Sequence, residues 1–223
     1  MIRVYIMNTE PLKDNELYER SYSGISYERR DRADRMKQPA DKIRSVGASL
    51  LLEYALGKMG ISNFRYGYGD KGKPFLVDRD DICFNISHSG DRVMCAVSSY
   101  PVGCDVERIN DVSEALEKKV LTVSEREQCA VSNNRKKMFF RFWTSKESFV
   151  KAVGDGMALS LLETEIVWGE GSNRVRAPKF ADKEYYVKEY FGDDGYCYAC
   201  CSADEELPTE PFVLEVEKIL EEM

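Results

Sequence analysis

Residues 83–99 read CFNISHSGDRVMCAVSS, an alternating apolar and polar run, a turn placed at His88 to Asp91, and a second run of small and β-branched residues. Period-two alternation on both sides of a Gly-Asp turn predicts a β-hairpin. Residues 185–203, YYVKEYFGDDGYCYACCSA, repeat the plan of strand, Gly-Asp turn and cysteine-rich strand. Helical texture lies ahead of each hairpin, so the expected fold class is α+β, in two similar halves.

Working outward, residues 1–8 (MIRVYIMN) read as an opening strand. Residues 39–60 predict a helix with Pro39 near its first turn, Gly57 and Gly60 near its end, and Ile43, Val46, Leu50 and Tyr54 on one stripe. VGCDVE, at 102–107, begins a further strand. Three helical stretches follow: 111–121, 123–132 and 135–153, the last closed by Gly154. Strands return near 163–170, 183–191 and 195–203. No linker rich in proline, glycine or serine separates the halves, 1–102 and 103–223, which should pack as one body. The tail is expected to add a short helix or strand.

Composition narrows the function classes. The 223 residues carry a net charge of -7, and residues 204–223, with eight acids and one lysine, account for all of it. Within the neutral remainder, residues 26–44 hold seven basic and four acidic residues. A local excess of this size suits a small anion, whereas nucleic-acid binders carry a basic face and a high pI; the pI here is about 5.0. No apolar run approaches the ~18 residues of a membrane span, and no charged n-region with an apolar h-region opens the sequence. Seven cysteines at irregular spacing fit reduced thiols and a cytoplasmic setting.

In VGCDVE, strand alternation puts Val102, Cys104 and Val106 on one face and Gly103, Asp105 and Glu107 on the other. Two carboxylates on one face suit magnesium, which takes one or two hard oxygen ligands and keeps water; a solvated strand face explains them equally well. On the 135–153 helix, Phe139, Trp143, Glu147 and Lys151 form an i, i+4 row, and a plain Glu147–Lys151 ion pair is the simplest account of its charged end. Ser124 and Glu127 match an S-x-x-E capping box, which leaves Glu125 without a local task. Cys197-x-x-Cys200 lacks a second ligand pair for zinc and alternates like a core strand.

FNISHSG, GCDVE and, about forty residues later, FWTSKESFVKAVGDG together resemble the signature of the Sfp-type 4′-phosphopantetheinyl transferases. The resemblance extends to the basic stretch around 29–45, GKP at 72–74 and TVSE at 122–125. It implies two similar α+β halves related by a pseudo-twofold, with coenzyme A bound between them and its phosphopantetheine moved to a serine of an apo acyl or peptidyl carrier protein, releasing adenosine 3′,5′-bisphosphate. Asp105, Glu107 and Glu147 match the family's magnesium acids. His88, Arg29, Arg32, Arg44 and Ser45 match places that grip the 3′-phosphate, and Lys73, Pro74 and Ser87 match nucleotide contacts. Lys151 matches the lysine at the diphosphate, Lys146 is a further candidate phosphate contact, and Glu125 matches the acid proposed as base.

Two positions depart from the pattern: Cys104 stands where an aliphatic residue is usual, and Asp155 where a lysine is frequent. The carrier is expected beside residues 111–123, on Leu116, Val120 and Leu121. The family's short relatives work as trimers, while a chain with two halves is expected to be a monomer. Keeping the same acids but using water as acceptor would give a coenzyme A or nucleotide diphosphatase. Loss of turnover would leave a non-catalytic coenzyme A-binding protein.

Overall fold

A computed structural model describes residues 1–62, 64–69, 71–77, 79–154, 159–169 and 172–223. The chain runs β1 (Arg3–Asn8), α1 (Asn15–Gly24), α2 (Tyr27–Asp34), α3 (Pro39–Gly57), β2 (Tyr66–Tyr68), β3 (Pro74–Leu76), β4 (Cys83–Ser89), β5 (Arg92–Ser98) and β6 (Val102–Arg108). It continues through α4 (Glu114–Val120), α5 (Val123–Val131), α6 (Arg135–Val153), β7 (Glu165–Val167), β8 (Asn173–Arg176), β9 (Tyr185–Phe191), β10 (Tyr196–Ser202), β11 (Phe212–Leu214) and α7 (Val216–Glu222). The described strands form one sheet in the order β11-β1-β5-β4, a second in the order β6-β10-β9-β8-β7, and a β2-β3 hairpin. Asp155 and its neighbours to 158 lie outside the described residues.

Strand β1 is apolar on both faces because both are covered. Tyr5 and Met7 join the core under α3, while Val4 and Ile6 pack with Met94, Val106 and Tyr198 between the two sheets. The halves therefore share a core and form one body. Both expected hairpins are present, as antiparallel β4-β5 and β9-β10. The first turns at Gly90, with φ +54°, so β4 carries His88 and Ser89 inside the strand, beyond where the turn was placed.

Helix α3 begins at Pro39 as expected, but it is buried almost all round from Ser45 to Leu56. The added cover comes from α1, α2 and α7, which pack on its outer side. Asp14 caps α1 by accepting from the amides of Glu16 and Leu17. The tail crosses back: β11 pairs in parallel with β1, and Val216 and Ile219 of α7 enter the first core. Residues 212–222 therefore pack with the first sheet and its helices, although they lie beyond β10 in the chain.

Helix α6 is capped by Asn134 and closed by Gly154 at φ +77°, and it lies across β6 and β10. It meets β6 backbone to backbone, since a Cβ on Gly103 would fall 2.0 Å from the Ser148 carbonyl oxygen and 2.4 Å from the Ala152 nitrogen. Cys104 sits in the shared core as a small apolar residue. Cys197 and Cys200, three apart on β10, face different cores, so they cannot serve as one metal pair.

Candidate active site

Strands β4 and β6 lie side by side at the junction of the two sheets, joined by side chains. Asn85 Oδ1 accepts from the Cys104 amide at 2.9 Å, Ser87 Oγ from Val106 at 3.4 Å, and Ser89 Oγ from Arg108 at 3.2 Å. The alternation read from VGCDVE holds: Val102, Cys104 and Val106 face the shared core, while Asp105 and Glu107 face the seam with α6. Ser87 and Ser89 donate to these acids, at 2.8 Å to Asp105 Oδ1 and 2.6 Å to Glu107 Oε2.

From α6, Lys151 Nζ donates to Asp105 Oδ1 at 2.6 Å and to Ser87 Oγ at 3.0 Å. The expected Glu147–Lys151 pair thus gives way to a bridge between the helix and β6. Desolvation works against the Lys151 charge, but Asp105 holds its ammonium above the ordinary lysine range. Burial pushes Glu107 and Glu147 above the usual carboxylate range, and the Asp105 charge adds to both shifts. Three carboxylates within mutual repulsion are thereby held around one lysine.

This donor set fits a hard divalent cation. Asp105 is 3% exposed, and its Oδ2 is buried without a hydrogen-bond partner among the described residues. Such an orphaned anionic oxygen is costly unless a cation or a donor meets it. Among the described residues no three acidic, histidine or cysteine side chains converge closely enough to enclose a metal. Magnesium requires no such cage, because it keeps several waters and takes one or two carboxylates.

The expected phosphate-binding residues divide. His88 stands on the exposed side of β4; desolvation, then the charges of Arg44 and Lys151, hold its imidazole below the ordinary value of 6.5. Arg44 pairs with Asp41 and reaches the Gly90 carbonyl at 3.4 Å. The Ser45 hydroxyl is buried and unpartnered among the described residues. Arg32 is exposed, 5.9 Å from the Tyr68 ring centre.

Arg29 is drawn into the protein. It is 2% exposed, its Nε donates to Ser49 Oγ at 2.8 Å, and its guanidinium lies 5.4 Å from the Tyr66 ring centre, so it ties α2 to α3. The Lys73 ammonium is also committed, to the carbonyls of Lys151 at 2.5 Å, Ala152 at 3.3 Å and Val102 at 3.4 Å. A cation at these last carbonyls of α6 complements the helix dipole. Lys73 and Pro74 nevertheless line a cleft of about 670 Å³ with Asn85, Glu147, Lys151 and Leu159.

Glu125 has a structural task that the sequence reading assigned to Glu127. The capping box is Thr122–Glu125: Glu125 Oε2 accepts from the Thr122 amide at 2.8 Å, and Thr122 Oγ1 from the Glu125 amide at 3.3 Å. Oε1 accepts from the Ile166 amide at 3.2 Å. Lys146 is 0% exposed and donates to Glu125 Oε2 at 2.5 Å, Val120 O at 2.8 Å and Leu161 O at 2.9 Å. All three of its protons are placed, so it offers none to a phosphate. With both oxygens bound and no solvent access, Glu125 is not positioned to take a proton from a substrate.

Glu125→Gln should accordingly destabilise the fold by ~3 kcal/mol, as breaking a buried ion pair does. Turnover of the folded fraction should stay within about tenfold, because a base lost from catalysis would cost ~10²–10⁴. Denaturant melts paired with single-turnover rates decide between the two.

Val120 and Leu121, expected on a carrier-facing surface, belong to the core beside α6, and Leu116 is half-buried. The exposed apolar side chains nearby are Val123 and Val131. Sequence reasoning also passed over Asn85 and Ser89, whose signal was the period-two polar series N-x-S-x-S at 85–89.

The profile of the 4′-phosphopantetheinyl transferase superfamily matches residues 101–201, the stretch from the start of β6 into β10. The chain is 31% identical over 208 residues to the 4′-phosphopantetheinyl transferase gsp of Aneurinibacillus migulanus, covering 91% of this chain and 86% of that protein. It is 29% identical over 226 residues to the 4′-phosphopantetheinyl transferase Sfp of Bacillus subtilis (strain 168), covering 98% of this chain and 100% of that protein. A solved holo-[acyl-carrier-protein] synthase from Neisseria meningitidis aligns with 47% of this chain and 98% of its own, at 18% identity and a TM-score of 0.42. The superfamily profile and these relatives together define a transferase. The chain belongs to the 4′-phosphopantetheinyl transferase family.

Proposed function

We propose that this transferase moves 4′-phosphopantetheine from coenzyme A to a serine hydroxyl of an apo acyl or peptidyl carrier protein. The serine oxygen bonds to the phosphorus next to the pantetheine, the bridging P–O bond breaks, and adenosine 3′,5′-bisphosphate leaves. The reading is carried by one observation: a buried aspartate, tied to a lysine in the seam between the halves, with one oxygen that has no partner among the described residues. Of Asp105, Glu107 and Glu147, one or two carboxylates would hold magnesium, which keeps waters in its other places. When bound, the ion supplies positive charge to a diphosphate and lowers the cost of the charge that builds on the leaving group.

Lys151 holds its proton and places a second positive charge at the same point. Arg44, with Arg32 within reach of solvent, would supply the positive charge for the 3′-phosphate, and His88 beside them would gain its proton as the phosphate binds. Pro74 and the stem of Lys73 wall the cleft beside Glu147 and Lys151 and would contact the nucleotide of coenzyme A. The serine proton passes to a group lining the cleft, and Glu125 is not one.

Incubation with coenzyme A, magnesium and an apo carrier tests the reading. One phosphopantetheine should appear on the carrier serine by mass spectrometry. Failure with several carriers would overturn it, and release of free 4′-phosphopantetheine would mark a diphosphatase instead.

The single histidine gives a clean probe, since one imidazole resonance reports on His88 alone. In the unliganded protein it should titrate below 6.5, the direction set by desolvation and its cationic neighbours. The sign for stability follows: the unfolded chain binds this proton more tightly, so the His88 contribution is present above the unfolded value and is lost as pH falls from there through the lower folded value. Coenzyme A should raise the His88 value, and its 3′-dephospho form should raise it less. Equal shifts with the two ligands would remove His88 from the 3′-phosphate.

No described helix is long and apolar enough to cross a membrane. The seven unpaired thiols, six of them buried, support a reducing, cytoplasmic setting. One chain supplies both halves of the seam, which supports a monomer.

A further inference from the structure

We propose that Ser87 and Ser89 are positioning residues that aim Asp105 and Glu107, and that Ser89 sets the affinity of the acid cluster for a divalent cation. The inference rests on the magnesium reading above.

A serine hydroxyl has one proton and two lone pairs. At Ser87 all three are occupied: it accepts from the Val106 amide and from Lys151 Nζ, and it donates to Asp105 Oδ1. The Ser87 hydroxyl therefore has a task within the protein, beside the nucleotide contact expected there. Ser89 repeats the device two residues on, accepting from the Arg108 amide and donating to Glu107 Oε2. Each hydroxyl thus hangs from one amide of β6 and directs its proton onto the carboxylate one residue earlier.

The consequence is that one oxygen of each acid is fixed. For Asp105 the fixed oxygen is Oδ1, and Oδ2 is the buried atom without a partner among the described residues. For Glu107 the fixed oxygen is Oε2. Hydrogen bonds of this kind orient metal-binding carboxylates, and losing one typically costs ~10–100-fold in metal affinity. Without its anchor, Glu107 would have to give up side-chain freedom when it binds.

The two serines differ in what their loss exposes. Ser87→Ala would strip hydrogen bonds from a buried pair and unsettle Lys151 as well as Asp105. Ser89→Ala leaves the Arg108 amide at an exposed place, where water can replace the hydroxyl. Ser89 is therefore the clean test.

Mn2+ is titrated into the full chain with coenzyme A present, and free Mn2+ is read by electron paramagnetic resonance. Ser89→Ala should weaken Mn2+ binding about tenfold or more, and Ser89→Thr, which keeps the hydroxyl, should restore it to within about threefold. The KM for magnesium should rise while kcat at saturating magnesium stays within about threefold. In a Glu107→Gln background, Ser89→Ala should cost nothing further, because the group it aims is already neutral. If the unmodified protein binds Mn2+ and Ser89→Ala binds it equally, or if the loss persists in the Glu107→Gln background, the positioning role is overturned and the magnesium reading stands. If the unmodified protein binds coenzyme A but no Mn2+, the magnesium reading falls and takes this inference with it.

Discussion

Asp105→Ala should lower carrier loading about a thousandfold, a loss of ~4 kcal/mol of transition-state stabilisation. The carboxylate is the point at which the two halves and α6 meet chemically: it receives Ser87 from β4 and Lys151 from α6, and its other oxygen has no partner among the described residues. Asp105→Asn should be nearly as damaging despite its matching shape. Its amide keeps an acceptor for Ser87 and Lys151 but turns the orphaned acceptor into a donor, which repels a cation. Added magnesium should recover less than about a tenth of the activity of either variant. Rates across a magnesium series, with circular dichroism to confirm folding, give the comparison. An Asn variant retaining more than about a tenth of normal kcat/KM would remove Asp105 from the metal-binding group.

The second large effect is expected at Gly103. Alanine there would set its Cβ 2.0 Å from a main-chain oxygen and 2.4 Å from a main-chain nitrogen of α6. No rotamer change relieves a clash with backbone, so strand and helix must separate. We expect a loss of at least ~3 kcal/mol and a fall in thermal midpoint of roughly 6–12 °C for a chain of this size. Because β6 carries Asp105 and Glu107 while α6 carries Glu147 and Lys151, activity at a temperature well below the midpoint should fall as well. An unchanged midpoint would mean that the close approach is not required.

The long α3 and α6 and both hairpins were legible because their periodicity runs over many residues and their ends are marked by proline or glycine. Helix α2 was not, since YERRDRAD turns only Arg29 and Ala33 fully inward. Nor was the burial of Arg29: charge density is visible in a sequence, whereas the Ser49 hydroxyl and Tyr66 ring that enclose its guanidinium come from distant elements. The acids of β6 followed from alternation, and their partner Lys151 from helical spacing and family resemblance. The capping register was misread because T-x-x-E and S-x-x-E overlap at 122–127, and only the burial of Glu125 against Lys146 decides between them.

The parallel pairing of β11 with β1 has a consequence for biosynthesis. An edge strand of the first sheet and a helix that closes its core leave the ribosome only after the whole β6–β10 region has been made. A nascent chain stalled before residue 212 would therefore present an unfinished first half, with the β1 edge open to pairing with other polypeptides, beside a second half already supplied with all its strands.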